Sequence, residues 1–214
     1  MAAKNVKSIT TFSDNCAGQN RNRYFLTMLW YSLKTLHLDN VCQKYLERGH
    51  TQNENDSVHL AIESSCKHVN LYTTSQWATC MQVARRSNPY YVTEMISENF
   101  FDFKHLSTTV RKLTTDTQGS PLKWMQIKTV SFYSQCPDSA IIQYNYDGPY
   151  VCLNLQPNLS NSDRMLPVLK PLFRHGKSPK NSKAKNYDLR KLCQNDIVPR
   201  AYKPFYENLP VEDD

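Results

Sequence analysis

The feature that most constrains the fold is a β-branched run that breaks into a polar turn and then into an amphipathic helix. Residues 6 to 13, Val-Lys-Ser-Ile-Thr-Thr-Phe-Ser, have strand composition and lead into Asp14-Asn15-Cys16-Ala17-Gly18-Gln19-Asn20. From Tyr24 to Leu36, Phe25, Met28, Leu29, Leu33 and Leu36 recur at helical spacing, which predicts a helix with one buried face. Val41 to Glu47 reads as a second strand, closed by Arg48-Gly49-His50-Thr51. Asn53 or Asn55 can then cap a helix carrying Val58, Ala61, Ile62, Cys66 and Val69 inward. This order of strand, helix, strand, helix implies an α/β fold with parallel neighbours, whose functional groups gather at the carboxyl ends of strands. Asp14 and His50 both fall at such ends.

Further on, the pattern predicts a helix over Ser75 to Arg86, a strand over Tyr90 to Met95 and a short helical stretch from Ser97 to Leu106. The first domain is then expected over residues 1 to 115. Trp124 to Tyr133, Ala140 to Tyr146 and Tyr150 to Leu155 read as three short strands of a small antiparallel appendage, residues 116 to 163. Residues 164 to 214 read as a basic loop through Lys185, a short helix over Tyr187 to Cys193 and a proline-spaced tail.

Charge divides the chain in the same way. Of the formal +7, residues 164 to 191 supply nine Lys or Arg against Asp188 alone, so the basicity is local. Such a segment attracts phosphates, and DNA is the partner it suggests, through Lys177, Lys180, Lys183 and Lys185; a solvated loop or a nuclear address would use the same residues. No membrane span, secretion signal or small-molecule cofactor motif stands out, so the expectation is an intracellular protein. The seven cysteines lack any C-x-x-C pair, and reduced thiols are the simplest expectation.

A carboxylate at the end of a parallel strand is rigidly aimed, and a second one on a following element can join it on a divalent ion. Asp14 and Asp56 fit that pattern, with His50, Glu54 and His59 as accessory groups. Asn15, Gln19, Asn20 and Arg21 offer donors suited to phosphate oxygens. The alternative is structural: Asp14 opens an Asx turn and Asp56 favours a helix N-terminus. A zinc site from His50, Asp56 and His59 is a third reading, without the spacing of an established zinc motif.

The string Ser13-Asp14-Asn15-Cys16-Ala17-Gly18-Gln19-Asn20-Arg21-Asn22, then Gly49-His50-Thr51 through Asn53 and Asp56, resembles a widespread transposon-related family known only as a domain of unknown function. A weaker similarity runs through Lys185, Asp188-Leu189, Leu192, Ile197-Val198-Pro199, Tyr202 and Phe205-Tyr206. The Ser-Asp-Asn element also resembles the second catalytic aspartate of ribonuclease H-like transposase and integrase cores. That resemblance implies nuclease or strand-transfer chemistry with Mg²⁺ or Mn²⁺, with Asp14 and Asp56 as catalytic and metal-binding residues and Glu54 as the alternative acid. It also implies that three antiparallel strands and a first aspartate would precede Met1. The expected fold is therefore a partial ribonuclease H-like core, a fragment inactive alone. The alternative is a non-catalytic nucleic-acid-binding or interaction module domesticated from a transposon.

Overall fold

The computed structural model describes residues 6–16, 18–47, 54–110, 112–155, 166–173 and 179–213. In chain order the elements are β1 (Ser8–Ser13), α1 (Arg23–Thr35), β2 (Asn40–Tyr45), α2 (Glu54–Cys66), α3 (Thr74–Val83), α4 (Phe103–Leu106), β3 (Thr129–Tyr133), β4 (Ser139–Gln143), β5 (Val151–Asn154), α5 (Lys183–Gln194) and α6 (Lys203–Glu207), with single 3-10 turns between some of them. They fall into two compact units. The first comprises residues 1–51 and 102–170, the second residues 52–101 and 171–214.

The first unit is a mixed α/β layer: a five-stranded sheet in the order β1-β2-β3-β4-β5. β1 and β2 are parallel and in register from Ser8 opposite Asn40 to Ser13 opposite Tyr45, whereas β2 to β5 pair antiparallel. The parallel pair is the one expected from the strand, helix, strand order. The three later strands, expected as a separate appendage of residues 116 to 163, instead extend this same sheet. Val130 and Phe132 complete the apolar surface that Val41 and Tyr45 begin, and a strand with that pattern gains most by pairing beside β2.

α1 exists because its two ends are fixed and its inner face is apolar. The Asn22 side chain accepts from the backbone N–H groups of Tyr24 and Phe25, both at 2.9 Å, satisfying donors that the helix start leaves open. His37 then takes a left-handed conformation, φ 50°, and ends the helix. Leu26, Leu29, Trp30 and Leu33 recur at i, i+3, i+4 and i+7 and bury against Val41, Val130, Phe132, Ala140, Ile142, Leu153 and Leu155. Gln43, on β2, is a fully buried polar side chain of the sheet, at 0% exposure, and it is satisfied. Its amide donates to Ser13 Oγ at 2.9 Å and to the Lys44 carbonyl at 3.0 Å, and it accepts from Thr11 Oγ1. The opposite face is more open, with Thr10, Phe12, Tyr133 and Cys152 exposed.

Two tight turns join β3 to β4 and lead toward β5. Cys136 donates to Tyr133 O and Ser139 to Cys136 O between β3 and β4. Gly148 donates to Asn145 O at 3.0 Å, and a Cβ at residue 148 would lie 3.1 Å from Asn145 Cβ, which explains the glycine.

In the second unit, α2 follows the expected cap region but buries no residue fully, and α3 buries Cys80 alone. Here the expectation of reduced thiols is corrected: Cys66 and Cys80 form a disulfide with Cα atoms 6.5 Å apart, while Cys16, Cys42, Cys136, Cys152 and Cys193 are free. A 14-residue spacing carries no sequence signature; the turn between α2 and α3 brings the sulfurs together. With so little apolar burial on either helix, the cross-link is a main constraint on the hairpin. Cys66→Ser is expected to cost about 3 kcal/mol of local stability, by the loop-closure argument for a loop of this length. Amide exchange across α2 is the measure, and α2 protection unchanged from wild type would show that packing alone holds it.

Tyr90 to Met95, expected as a strand, has no regular structure, and the stretch expected to be helical from Ser97 to Leu106 divides into a 3-10 turn, Ser97–Asn99, and α4. Asn88 with positive φ and Pro89 break the chain just before the apolar run, and that run finds no neighbouring strand among the described residues. The second unit is closed by its carboxyl-terminal segment. Tyr72 stacks on Tyr202 with ring centroids 5.1 Å apart, Gln76 Nε2 donates to Tyr202 Oη at 2.8 Å, and Tyr206 Oη donates to the Tyr72 carbonyl at 2.6 Å. Helix α5 starts at Lys183, earlier than expected, because Ser182 caps it by accepting from the Lys185 N–H.

Candidate functional site

The most organised polar surface of the first unit is the turn that follows β1. Asp14 sits just past the carboxyl end of the strand and is exposed. One carboxylate oxygen, Oδ1, accepts from the Cys16 N–H at 3.1 Å and from Asn20 Nδ2 at 2.8 Å, which is the geometry of an Asx turn closed by a second side chain. The other oxygen has no hydrogen-bond partner among the described residues. Asn15 points the other way. Its Nδ2 donates to the Leu46 carbonyl at 2.5 Å and its Oδ1 accepts from Arg21, so it ties the turn to the end of β2.

Arg21 is the anchor. It is 6% exposed, its guanidinium donates to Asn15 and to the Met125 carbonyl, and it lies 4.4 Å from the centre of the Tyr45 ring. Tyr45 in turn donates through Oη to the Asn20 carbonyl at 2.7 Å. Burial pushes the Tyr45 phenol up to about 12, with the nearby Arg21 cation opposing the shift. The motif around Asp14 is thus a braced turn: Asn15 and Arg21 hold part-buried acceptors that tie it to the fold, while Asn20 and Asn22 close it at the surface. Gln19 remains exposed at its rim.

The other candidates lie elsewhere. Asp56 and Glu54 occupy the exposed first turn of α2, in the second unit, where carboxylates complement the helix dipole; His59 and Glu63 follow on the same helix, also exposed. His50, and with it the Gly-His-Thr element, lies outside the described residues, as does Lys177. Lys180 is ion-paired with Asp213 at 2.5 Å, and Lys183 and Lys185 open α5. The structure therefore gathers Asp14, Asn15, Asn20 and Arg21 in one place, joined by Tyr45, which the sequence did not single out. Its only sequence signal was an aromatic residue on the inward parity of β2.

Among the described residues no group of three or more His, Cys, Asp or Glu side chains is placed to hold a metal ion. Around Asp14 the first unit offers one carboxylate, because the Asn15 carbonyl oxygen already serves Arg21. That donor set falls short of what a hard divalent ion takes from protein oxygens, so this turn alone does not fit a metal centre.

The sheet and its braced aspartate turn define a mixed α/β protein with a single acid presented at the end of a parallel strand. The chain belongs to the family described as Domain of unknown function (DUF7869), which matches residues 7–129 and so includes β1, α1, β2 and the whole Asp14 turn. No curated protein and no solved structure matches it. No helix among the described residues is long and apolar enough to cross a membrane.

Proposed function

We propose that this chain carries a transposase-derived, ribonuclease H-like core of the nuclease or strand-transfer class, with Asp14 as a retained acid. The supporting observation is the way Asp14 is held: exposed just past the carboxyl end of a strand in a parallel pair, one oxygen fixed by the turn and the other without a partner among the described residues. In such cores carboxylates hold the divalent ions that activate the attacking oxygen and stabilise the leaving one. Asp14 is the ligand that this unit would contribute, and DNA is the proposed substrate. The test is titration of the full chain with Mn²⁺, read by broadening of backbone resonances. Asp14, Cys16 and Asn20 should broaden in the wild type and respond at least about tenfold more weakly in Asp14→Asn. Identical responses in the two proteins would sink the metal-dependent reading.

In a second reading, a nucleic-acid-binding module without catalysis, the rest of the same motif serves only to hold the turn. Asn15, Asn20, Arg21 and Asn22 each make bonds that a purely structural turn requires. Both readings share a polynucleotide partner, for which the local basicity of residues 164 to 191 is the support.

A further inference from the structure

Helix α5 sorts the basic residues of the second unit into two kinds. It buries Asn186 and Cys193 and half-buries Leu189, which fixes the side that faces solvent. On that side Lys183, Tyr187, Arg190, Lys191 and Gln194 fall at i, i+4, i+7, i+8 and i+11, a continuous stripe along the helix. Asp188 is the helix's only acid. Ion pairing then separates the cations. Lys180 is held by Asp213 at 2.5 Å and Lys203 by Asp196 at 2.6 Å, whereas Arg190 and Lys191 are exposed and have no acidic partner among the described residues. Tyr187 stands among them at 67% exposure.

We infer that this face of α5 binds single-stranded nucleic acid, with Tyr187 stacked on a base and Arg190 and Lys191 on the neighbouring phosphates. The inference rests on the polynucleotide partner proposed above and names where and in what form it is held. Charge complementarity selects a polyanion. The aromatic ring selects among polyanions: a stacking platform flanked by cations suits unstacked bases, which a duplex does not offer and an acidic peptide lacks. The stripe carries no aliphatic side chain to enter a bilayer, so an anionic membrane is a poorer match. Arg190 and Gln194 also line a cavity of about 400 Å³ with Cys193, Lys203 and Glu207. There Glu207 adds a negative charge and Lys203 is already paired, so the open stripe, not the cavity, is the binding surface.

The test is fluorescence anisotropy of the full chain with a labelled thymidine oligonucleotide, from about 50 to about 200 mM salt. The Arg190→Ala/Lys191→Ala double variant should bind about tenfold more weakly, with the slope of log affinity against log salt smaller by about 1.4, two single-strand phosphate contacts. Tyr187→Ala should lose about tenfold at an unchanged slope, as loss of stacking predicts. Lys180→Ala, which removes a paired lysine, should change binding by no more than about twofold. All four positions are exposed, and circular dichroism of each variant establishes that the fold is retained. Single-strand binding left unchanged by the α5 variants, or reduced equally by Lys180→Ala, overturns the α5 assignment while the polynucleotide reading stands. Tighter binding of the duplex, or equal binding of polyglutamate, overturns the single-stranded partner. No binding to either strand form at about 50 mM salt, where such contacts are strongest, overturns both the inference and the reading beneath it.

Discussion

Replacing Arg21 with methionine is expected to lower the stability of the first unit by about 4 kcal/mol, because two part-buried acceptors lose a charged donor together. Methionine keeps the apolar stem, so the loss isolates the guanidinium. The Asn15 carbonyl oxygen and the Met125 carbonyl are left unbonded inside the fold, and the Tyr45 ring loses the cation 4.4 Å from its centre. Lysine at the same position restores charge but not the planar fork, and should recover less than half of the deficit. Urea unfolding followed by amide exchange at β1 and β2 checks this, and a Met variant within about 1 kcal/mol of wild type would show that the turn holds without its anchor. Alkali probes the same contact. The Tyr45 phenol sits at about 12 in the folded chain against an ordinary value near 10, so its contribution is fully present below pH 10 and is lost as the pH rises toward 12. Without Arg21 the cation that opposes the burial shift is gone, and the phenol should titrate higher still while it remains folded.

The second large effect falls on Trp30. It is completely buried at the centre of α1, donates through Nε1 to Asp138 at 3.3 Å, and carries Lys34 at 4.8 Å from its ring. Trp30→Ala removes a large part of the contact between α1 and the sheet and should cost about 4 kcal/mol. Trp30→Phe keeps most of the ring and should cost about 1.5 kcal/mol, chiefly the lost bond to Asp138 and a residual void. Amide protection at Val41, Val130 and Ile142 is the direct readout, because these strands lie under the ring's helix. A fall of less than about tenfold for the alanine variant would mean that the core reorganises around the gap.

Local signals carried much of the fold. β1, α1 and β2 were readable as elements because their period is clear, but the inner face of α1 was only half legible: Leu29 and Leu33 are buried as expected, whereas Leu26 and Trp30 take the places expected of Phe25 and Met28, and Leu36 is exposed. What periodicity does not encode is which strand pairs with which. Val130 and Phe132 looked like members of an isolated hairpin set, yet their inward parity matches Val41 and Tyr45 across β2, a long-range choice set by shared burial. The Tyr90 to Met95 stretch shows the reverse case, strand-like residues without a pairing partner among the described residues. The disulfide was invisible for a similar reason, since only the α2–α3 turn makes Cys66 and Cys80 neighbours. At the site, the polar motif was legible as a motif, but its internal bonding was not. The Asx turn at Asp14 was legible because its bonds are local, whereas the burial of Arg21 and the tie through Asn15 depend on Tyr45, Leu46 and Met125, distant residues that no local pattern connects to it.

The sheet of the first unit is stitched from two stretches of chain, with β2 and β3 paired across a separation of more than eighty residues. The stretch that matches the family ends at residue 129, the first residue of β3. A polypeptide cut at that point would keep the Asp14 turn yet leave β2 with a bare, hydrogen-bonding margin and α1 with half its apolar floor. Such a margin invites intermolecular strand pairing and aggregation. The boundary of recognisable kinship and the boundary of an independently folding piece are therefore different, and a fragment that retains residues through Leu155 is the shorter one expected to stay monomeric.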